Sequence, residues 1–179
     1  MYLVNLIDSL LPLIFEYITC PAIDFFMVFI TRLGDGGFIW ILTIALLMVS
    51  KRTRKVGFIA AVSLLICFIT GNCIIKPLVG RIRPCNLYPE LRMLIERPSD
   101  FSFPSMHTAT SFSVSSIILM VDRKWGIPAI ILSVFIALSR VYLNVHFTTD
   151  IIAGALYGYL IAVFIKFVIK KTKFNVFEY

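Results

Sequence analysis

The chain has 179 residues, of which 59% are hydrophobic and 15% charged, and its mean hydropathy is +0.92. Soluble domains carry about 25% charged residues, so this composition excludes an ordinary soluble protein and indicates an integral membrane protein. The net charge of +7 is interpreted as membrane topology and contact with anionic lipids, and no nucleic-acid partner is expected.

Apolar segments, taken in chain order, predict six membrane-spanning helices. They approach the roughly 20 residues that cross a bilayer as a helix and exceed the roughly 10-residue segments of a barrel. The first contains Glu16, Pro21 and Asp24, so it is either one span or an interfacial helix followed by a short span. We expect an all-α, six-helix integral membrane bundle forming one domain over 1–179, with spans at about 8–31, 36–50, 55–76, 105–121, 126–143 and 148–169.

Clusters of basic residues predict the orientation. The sequences KRTRK at 51–55, RK at 123–124 and KKTK at 170–173 all fall on one side of the six-span arrangement. The positive-inside rule assigns that side, with both termini, to the cytoplasm. The connections 32–36, 77–104 and 144–147 then lie on the opposite face, and LGDGG at 33–37 predicts a glycine turn there.

Three polar motifs lie on that opposite face: KPLVGRIRP at 76–84, FPSMHT at 103–108 and SRVYLNVHFTTD at 139–150. An ionisable group at bilayer depth costs roughly 2.5–3.5 kcal/mol, so it usually has a function. Taken singly, each histidine is more often a packing residue and each cation at a helix end a snorkelling anchor. Both histidines of the chain fall in these motifs beside cations, however, and together they indicate one site.

Phosphoryl transfer is the chemistry that fits this set. Lys76, Arg83 and Arg140 can neutralise phosphate oxygens, because arginine offers a planar fork and lysine a point charge. Ser105 follows Pro104 as the expected N-cap of a helix, which leaves the N–H groups of the next two residues facing an anion. Capping alone would also explain this serine.

The histidines are expected to have different roles. His146 and Asp150 are four residues apart and share a face if the sixth helix begins at His146. If Thr148 or Thr149 caps the helix instead, His146 lies in the preceding loop, from which the pair can still meet. In either case the carboxylate orients His146 as a nucleophile that forms a phosphohistidine, and His107 protonates the leaving oxygen and later deprotonates water.

No metal or cofactor is expected. The sequence has no carboxylate cluster for magnesium and no glycine-rich Walker loop, so the cations would replace the metals of other phosphoryl-transfer enzymes. Cys20, Cys67, Cys73 and Cys85 have no metal-ligand spacing, and we expect neither zinc nor a disulfide from them.

The three motifs resemble the signatures of the type 2 phosphatidic acid phosphatase superfamily, whose relatives include vanadium haloperoxidases and glucose-6-phosphatase. The family pattern is a Lys separated by six residues from Arg-Pro, a Pro-Ser-Gly-His, and a Ser-Arg followed by His and Asp. Here it covers residues 76–150, with Met106 where glycine is usual. The resemblance implies a metal-free lipid phosphatase with six helices. It assigns catalysis to His146, His107 and Asp150 and phosphate binding to Lys76, Arg83, Ser105, Met106 and Arg140.

Two points stay open at this stage. Arg81 has no place in the signatures and contacts either a second phosphate of the head group or solvent. The expected substrate is a lipid phosphate of the outer leaflet of a bacterial-type plasma membrane: undecaprenyl diphosphate, phosphatidylglycerol phosphate or phosphatidic acid. The alternatives are a lipid phosphotransferase that uses the same histidine, a membrane transporter, and a non-catalytic scaffold. The sequence leaves the oligomeric state undetermined.

Overall fold

The computed structural model describes residues 2–170 and 176–177, and every regular element in these ranges is helical. A 3-10 turn at Asp35–Gly37 and a π-helical segment at Gly71–Ile75 join some of the α-helices. The α-helices are α1 Tyr2–Tyr17, α2 Pro21–Gly34, α3 Phe38–Val49, α4 Arg54–Thr70, α5 Lys76–Val79, α6 Pro84–Leu87, α7 Met106–Val121, α8 Arg123–Tyr142 and α9 Thr148–Ile169.

Several helices are long and apolar enough to cross a bilayer. Within the described residues these stretches are Pro21–Val49, Arg54–Leu87, Arg123–Tyr142 and Thr148–Ile169, and α7 is a shorter apolar helix. Large apolar side chains such as Phe25, Leu46 and Phe164 point outward, as lipid-facing residues do. The prediction of an all-helical, multi-pass membrane protein is confirmed.

The first predicted span, 8–31, is two helices rather than one. The helical structure is interrupted at 18–20, between α1 and α2, and Pro21 is the first residue of the second helix. Proline lacks the N–H that would bond into the preceding turn, so it begins a helix more readily than it continues one. The glycine turn predicted at 33–37 is confirmed, with positive φ at Gly36 and Gly37.

Helix α7 lies at the centre of the bundle, packed against α4, α8 and α9. Its buried face is rich in serine, and the hydroxyls bond to neighbouring helices. The Trp40 indole N–H donates to Ser111 Oγ at 2.7 Å, and Ser133 donates to Ser115 at 3.0 Å. Ser63 and Ser113 share a third bond of 2.5 Å. These bonds satisfy polar groups that burial in a membrane protein would otherwise leave unpaired.

Helices α7 and α9 approach each other through two glycines. A Cβ atom at Gly154 would lie 2.7 Å from the Ser105 carbonyl oxygen, and one at Gly158 would overlap the Ala109 carbonyl oxygen. Only glycine therefore allows the two backbones to come this close. This contact fixes the start of α9 beside the start of α7, where two of the three motifs lie.

Candidate active site

A cavity of about 890 Å³ opens at the end of the bundle where the three motifs meet. Its walls come from the α2–α3 turn, the segment from α4 to α5, the loop 93–100 and the first turns of α7. Of the residues predicted from the sequence, those that line it are Lys76, Arg83, Met106, His107, Arg140 and His146.

Three cations are buried around this cavity. Lys76, Arg83 and Arg140 are only 5%, 3% and 3% exposed. Arg140 donates from Nη1 to Thr31 Oγ1 at 2.6 Å, but its buried Nε has no hydrogen-bond partner in the structure. A buried donor without a partner is unfavourable, so Arg140 is suited to an anionic ligand.

Asp100, which the sequence analysis did not single out, forms ion pairs with two of these cations. Its carboxylate pairs with the Lys76 ammonium and with Arg83 Nη2, the latter at 2.7 Å, while its carbonyl oxygen accepts from Arg83 Nε at 2.9 Å. Partial burial raises the pKa of Asp100, but the Lys76 and Arg83 charges outweigh burial and lower the pKa to about 2. The carboxylate therefore stays ionised and neutralises part of the charge of Lys76 and Arg83.

His146 lies in the loop between α8 and α9, as in the second predicted arrangement, although the N-cap of α9 is Phe147 and not Thr148 or Thr149. Arg83 Nη1 donates to His146 Nε2 at 2.9 Å, so this nitrogen is the acceptor and the ring proton is on Nδ1. Nδ1 is 3.4 Å from both Asp150 Oδ2 and Ser102 Oγ. Burial and then the charges of Arg83 and Arg140 hold the pKa of His146 well below its ordinary value. The ring is neutral with its Nε2 lone pair directed toward the cations.

Asp150 is fully buried and held by several donors besides His146. The Phe147 backbone N–H donates to Oδ2 at 2.9 Å, and Ser102 Oγ donates to the same oxygen at 2.5 Å. Arg81 Nη1 donates to Oδ1 at 2.6 Å. Ser102, itself fully buried, is a second site residue that the sequence analysis missed, because it lies in an irregular loop without periodicity.

His107 lies at the start of α7 and pairs with Asp35 of the α2–α3 turn, with 2.8 Å between Nε2 and Oδ1. Gly34 makes this possible, since a Cβ there would lie 2.9 Å from His107 Cδ2. The sequence analysis interpreted residues 33–37 only as a turn. Their composition gave no signal that Asp35 would orient a histidine.

Ser105 precedes α7 as expected but does not cap it through its side chain. Its hydroxyl accepts from Thr108 Oγ1 at 3.0 Å, and its N–H donates to the Asp150 carbonyl oxygen at 3.2 Å. The first N–H groups of α7 have no intrahelical partner, as at any helix start. Met106 is already helical and 7% exposed, and its sulfur packs against Gly71 in the π-helical segment.

Arg81 keeps 25% of its side-chain surface exposed, and protein groups engage its guanidinium. It is absent from the cavity walls and bonds to Asp150, Thr149 and Asp8, the last at 2.6 Å from Nη2. Its guanidinium stacks 4.0 Å from the centre of the Phe147 ring. Arg81 is therefore placed behind the His146–Asp150 pair rather than among the cavity residues.

A helical membrane bundle that gathers two histidines and three buried cations around one cavity is typical of enzymes that act on anionic groups. Comparison with known proteins agrees. A family model described as the PAP2 superfamily matches residues 55–173. The chain belongs to the PAP2 superfamily, and the class predicted from its motifs, a lipid phosphate phosphatase, is confirmed.

Individual relatives support the same assignment. The chain is 34% identical over 144 residues to an undecaprenyl-diphosphatase of Sulfolobus acidocaldarius, covering 80% of this chain and 69% of that protein. It is 33% identical to a lipid A 4'-phosphatase of Bacteroides thetaiotaomicron, covering 85% and 72%. A crystal structure of a PAP2-type phosphatidylglycerolphosphate phosphatase from Bacillus subtilis has a TM-score of 0.79 and 27% identity, covering 97% and 90%.

Proposed function

We propose that the protein hydrolyses the phosphate or diphosphate head group of a membrane lipid through a phosphohistidine on His146, without a metal ion. The observation that carries this proposal is the convergence of Lys76, Arg83 and Arg140, all buried, on a cavity that also holds both histidines. Three buried positive charges can neutralise a phosphate and the charge that develops as it is transferred. The unpartnered Nε of Arg140 supports the same use.

The reaction begins when the phosphate displaces Asp100 and Arg83 turns from His146 Nε2 to a phosphate oxygen. Nε2 then attacks phosphorus, an N–P bond forms and the bond to the leaving oxygen breaks. His107, held by Asp35 at 2.8 Å, gives the leaving oxygen its proton. The imidazole that carries the phosphoryl group gains positive charge, which Asp150 stabilises.

The second half of the reaction returns the enzyme to its starting state. His107 takes a proton from water as the water oxygen attacks the phosphohistidine. The N–P bond breaks, inorganic phosphate leaves and His146 Nε2 recovers its lone pair. Ser105 and the free N–H groups at the start of α7 are assigned to phosphate oxygens, as helix N-termini commonly bind them.

For the substrate we favour undecaprenyl diphosphate, with phosphatidylglycerol phosphate, lipid A and phosphatidic acid as the other lipids to compare. Undecaprenyl diphosphate and lipid A are the lipids in the names of the relatives that are 34% and 33% identical to this chain. A cavity of about 890 Å³ has room for a diphosphate head group. Its wall of Leu64, Phe68 and Met93 offers apolar contact where the lipid tail would leave.

The site is proposed to face away from the cytoplasm, in the plasma membrane, with both termini cytoplasmic. The cavity lies at the helix ends opposite the α3–α4 connection, which contains Arg52, and opposite the first turn of α8, which contains Lys124. Labelling with a membrane-impermeant maleimide tests this. In a cysteine-free background, Glu90→Cys in the loop is expected to react in intact cells, whereas Arg52→Cys reacts only after lysis. The reverse pattern would contradict the orientation.

Phosphate release is the test of the chemistry. The purified protein is assayed in detergent with EDTA on each lipid, beside His146→Asn and, as a control, Asn86→Ala at an exposed side chain of α6. Release is expected to survive EDTA, disappear in His146→Asn and persist in the control. A phosphohistidine should be trapped at His146 by rapid acid-free denaturation and mass spectrometry. A product that retains the phosphate on another hydroxyl would show phosphotransfer instead, and no release from any lipid would overturn the proposal.

A further inference from the structure

Arg81 joins two carboxylates that lie far apart in the sequence. Its Nη1 donates to Asp150 Oδ1 at 2.6 Å, and its Nη2 donates to Asp8 Oδ2, also at 2.6 Å. Asp150 is fully buried and Asp8 is 8% exposed. Arginine suits this bridge because its planar group presents separate N–H pairs to two acceptors.

Asp8, on α1, also holds the first turn of α9. Its Oδ1 accepts from the Thr149 backbone N–H at 2.9 Å and from Thr149 Oγ1 at 2.7 Å. A carboxylate at a helix N-terminus satisfies a free N–H and interacts favourably with the helix dipole. One side chain of α1 therefore fixes both Arg81 and the residue that precedes Asp150 in the chain.

The alternative is that Asp8 only anchors α1 to the bundle. Two features of the contacts indicate that Asp8 and Arg81 also affect the His146–Asp150 pair. Arg81 bonds to Oδ1 of Asp150, while Phe147 and Ser102 bond to Oδ2 on the side of His146 Nδ1. Arg81 therefore helps to fix the rotation of the carboxylate from the opposite side. Arg81 also pairs with two negative charges at once. If Asp8 lost its charge, Arg81 would pair with Asp150 alone and would neutralise more of the negative charge that Asp150 presents to His146.

We propose that Asp8 and Arg81 are positioning residues for the His146–Asp150 pair, so that α1 forms part of the catalytic apparatus. This inference rests on the proposed role of His146 as the nucleophile. The family model matches residues 55–173, so Asp8 lies outside the matched stretch. When the N–P bond forms, the imidazole becomes cationic, and a carboxylate held in one rotation is already placed to stabilise it.

Asp8→Asn tests the proposal, because it keeps the shape of the side chain and removes its charge. We expect kcat to fall about tenfold or more, as for other residues that orient a catalytic ligand, with KM within about twofold. Glu16→Gln, at an exposed acid on the same helix, is the matched control and should leave both constants unchanged. Arg81→Lys keeps the charge but loses the planar group that presents separate N–H pairs to Asp8 and Asp150, and the same fall in kcat is expected.

A second measurement does not depend on lipid turnover. Diethyl pyrocarbonate acylates neutral imidazole, and mass spectrometry of the full-length protein in detergent follows His146 and His107 separately. In Asp8→Asn the rate of acylation of His146 should fall at least threefold, while the rate of acylation of His107 is unchanged. Absence of phosphate release from the wild type would remove the proposed function, and the acylation rates would still decide the placement of His146.

Several results would overturn the inference. An unchanged kcat and unchanged acylation in Asp8→Asn would exclude positioning. A raised KM at constant kcat would assign Asp8 to substrate binding. A lower Tm with equal acylation of His146 in the wild type and the variant would show that Asp8 is only an anchor for α1.

Discussion

Asp100→Asn is expected to lower the KM for the lipid phosphate. The Asp100 carboxylate pairs with Lys76 and with Arg83 Nη2, two of the cations assigned to the substrate phosphate. The lipid must displace it before binding. Asparagine removes the negative charge but keeps the backbone carbonyl that accepts from Arg83 Nε, so the loop retains one of its attachments.

The size of the change in KM depends on how far the cations and the Asp100 carboxylate are each buried. A hydrogen bond to a charged group contributes about 1.5–3 kcal/mol when buried, but exposed pairs contribute about 0–1 kcal/mol. The cations are nearly inaccessible, whereas the Asp100 side chain is 51% exposed. Screening by solvent therefore reduces the two contacts together to about 1–2 kcal/mol. This corresponds to a decrease in KM of about 5- to 30-fold.

Initial rates against lipid concentration in mixed micelles with EDTA measure this effect. Glu96→Gln is the matched control, because Glu96 is an exposed carboxylate of the same loop that also lines the cavity. If Asp100 acts by occupying the cations, its replacement lowers KM and the control does not. Equal decreases in both variants would show general repulsion of the anionic substrate, and an unchanged or higher KM in Asp100→Asn would refute the reasoning.

The low pKa of Asp100 adds a pH criterion. With a pKa of about 2, the carboxylate stays ionised above about pH 4, so the effect on KM is expected to be constant through the assay range. A depressed carboxyl pKa stabilises the fold above the unfolded value of about 3.9. That contribution is lost as the pH falls toward about 2.

Three further predictions concern other parts of the site. Burial lowers the pKa of His146, so kcat/KM is expected to begin falling on the acid side only below the ordinary histidine value of about 6.5. A fall that begins at or above that pH would exclude a neutral buried nucleophile. Ser102→Ala removes the 2.5 Å bond to Asp150 and should lower kcat with little change in KM; Ser99→Ala, at an exposed serine of the same loop, is its control. Gly71→Ala places a Cβ against the Met106 sulfur and should lower Tm by several degrees, and Met106→Ala in the same chain should restore part of the loss; no restoration would contradict the packing described.

Long apolar runs made the helices predictable from the sequence, since burial in lipid requires nearly continuous apolar residues in each span. The exception was 8–31, where the chain divides at Pro21. Proline was visible in the sequence, but hydropathy alone does not distinguish one tilted span from two shorter helices. Local backbone chemistry decided the outcome.

The cavity residues that the sequence predicted lie at or close to helix ends next to apolar runs. Asp100 and Ser102 were missed, since a single acid or serine in an irregular loop carries no pattern. The contact between Asp8 and Arg81 joins residues 73 positions apart and depends on how α1 docks. Such pairings are products of tertiary packing and have no sequence periodicity.

The glycine contacts between α7 and α9 have a consequence for how substrate preference can vary. Gly154 and Gly158 place no α9 side chain against the α7 backbone, so the residues at the two helix starts cannot shift independently without separating the backbones. Adaptation to another lipid must therefore come from parts that move without disturbing this pair. The loop that contains Met93 and the α2–α3 turn are parts of the cavity wall outside the two helices. Exchanging these two segments between relatives, with Asp35 and Asp100 kept in place, should transfer head-group preference while the chemistry is retained.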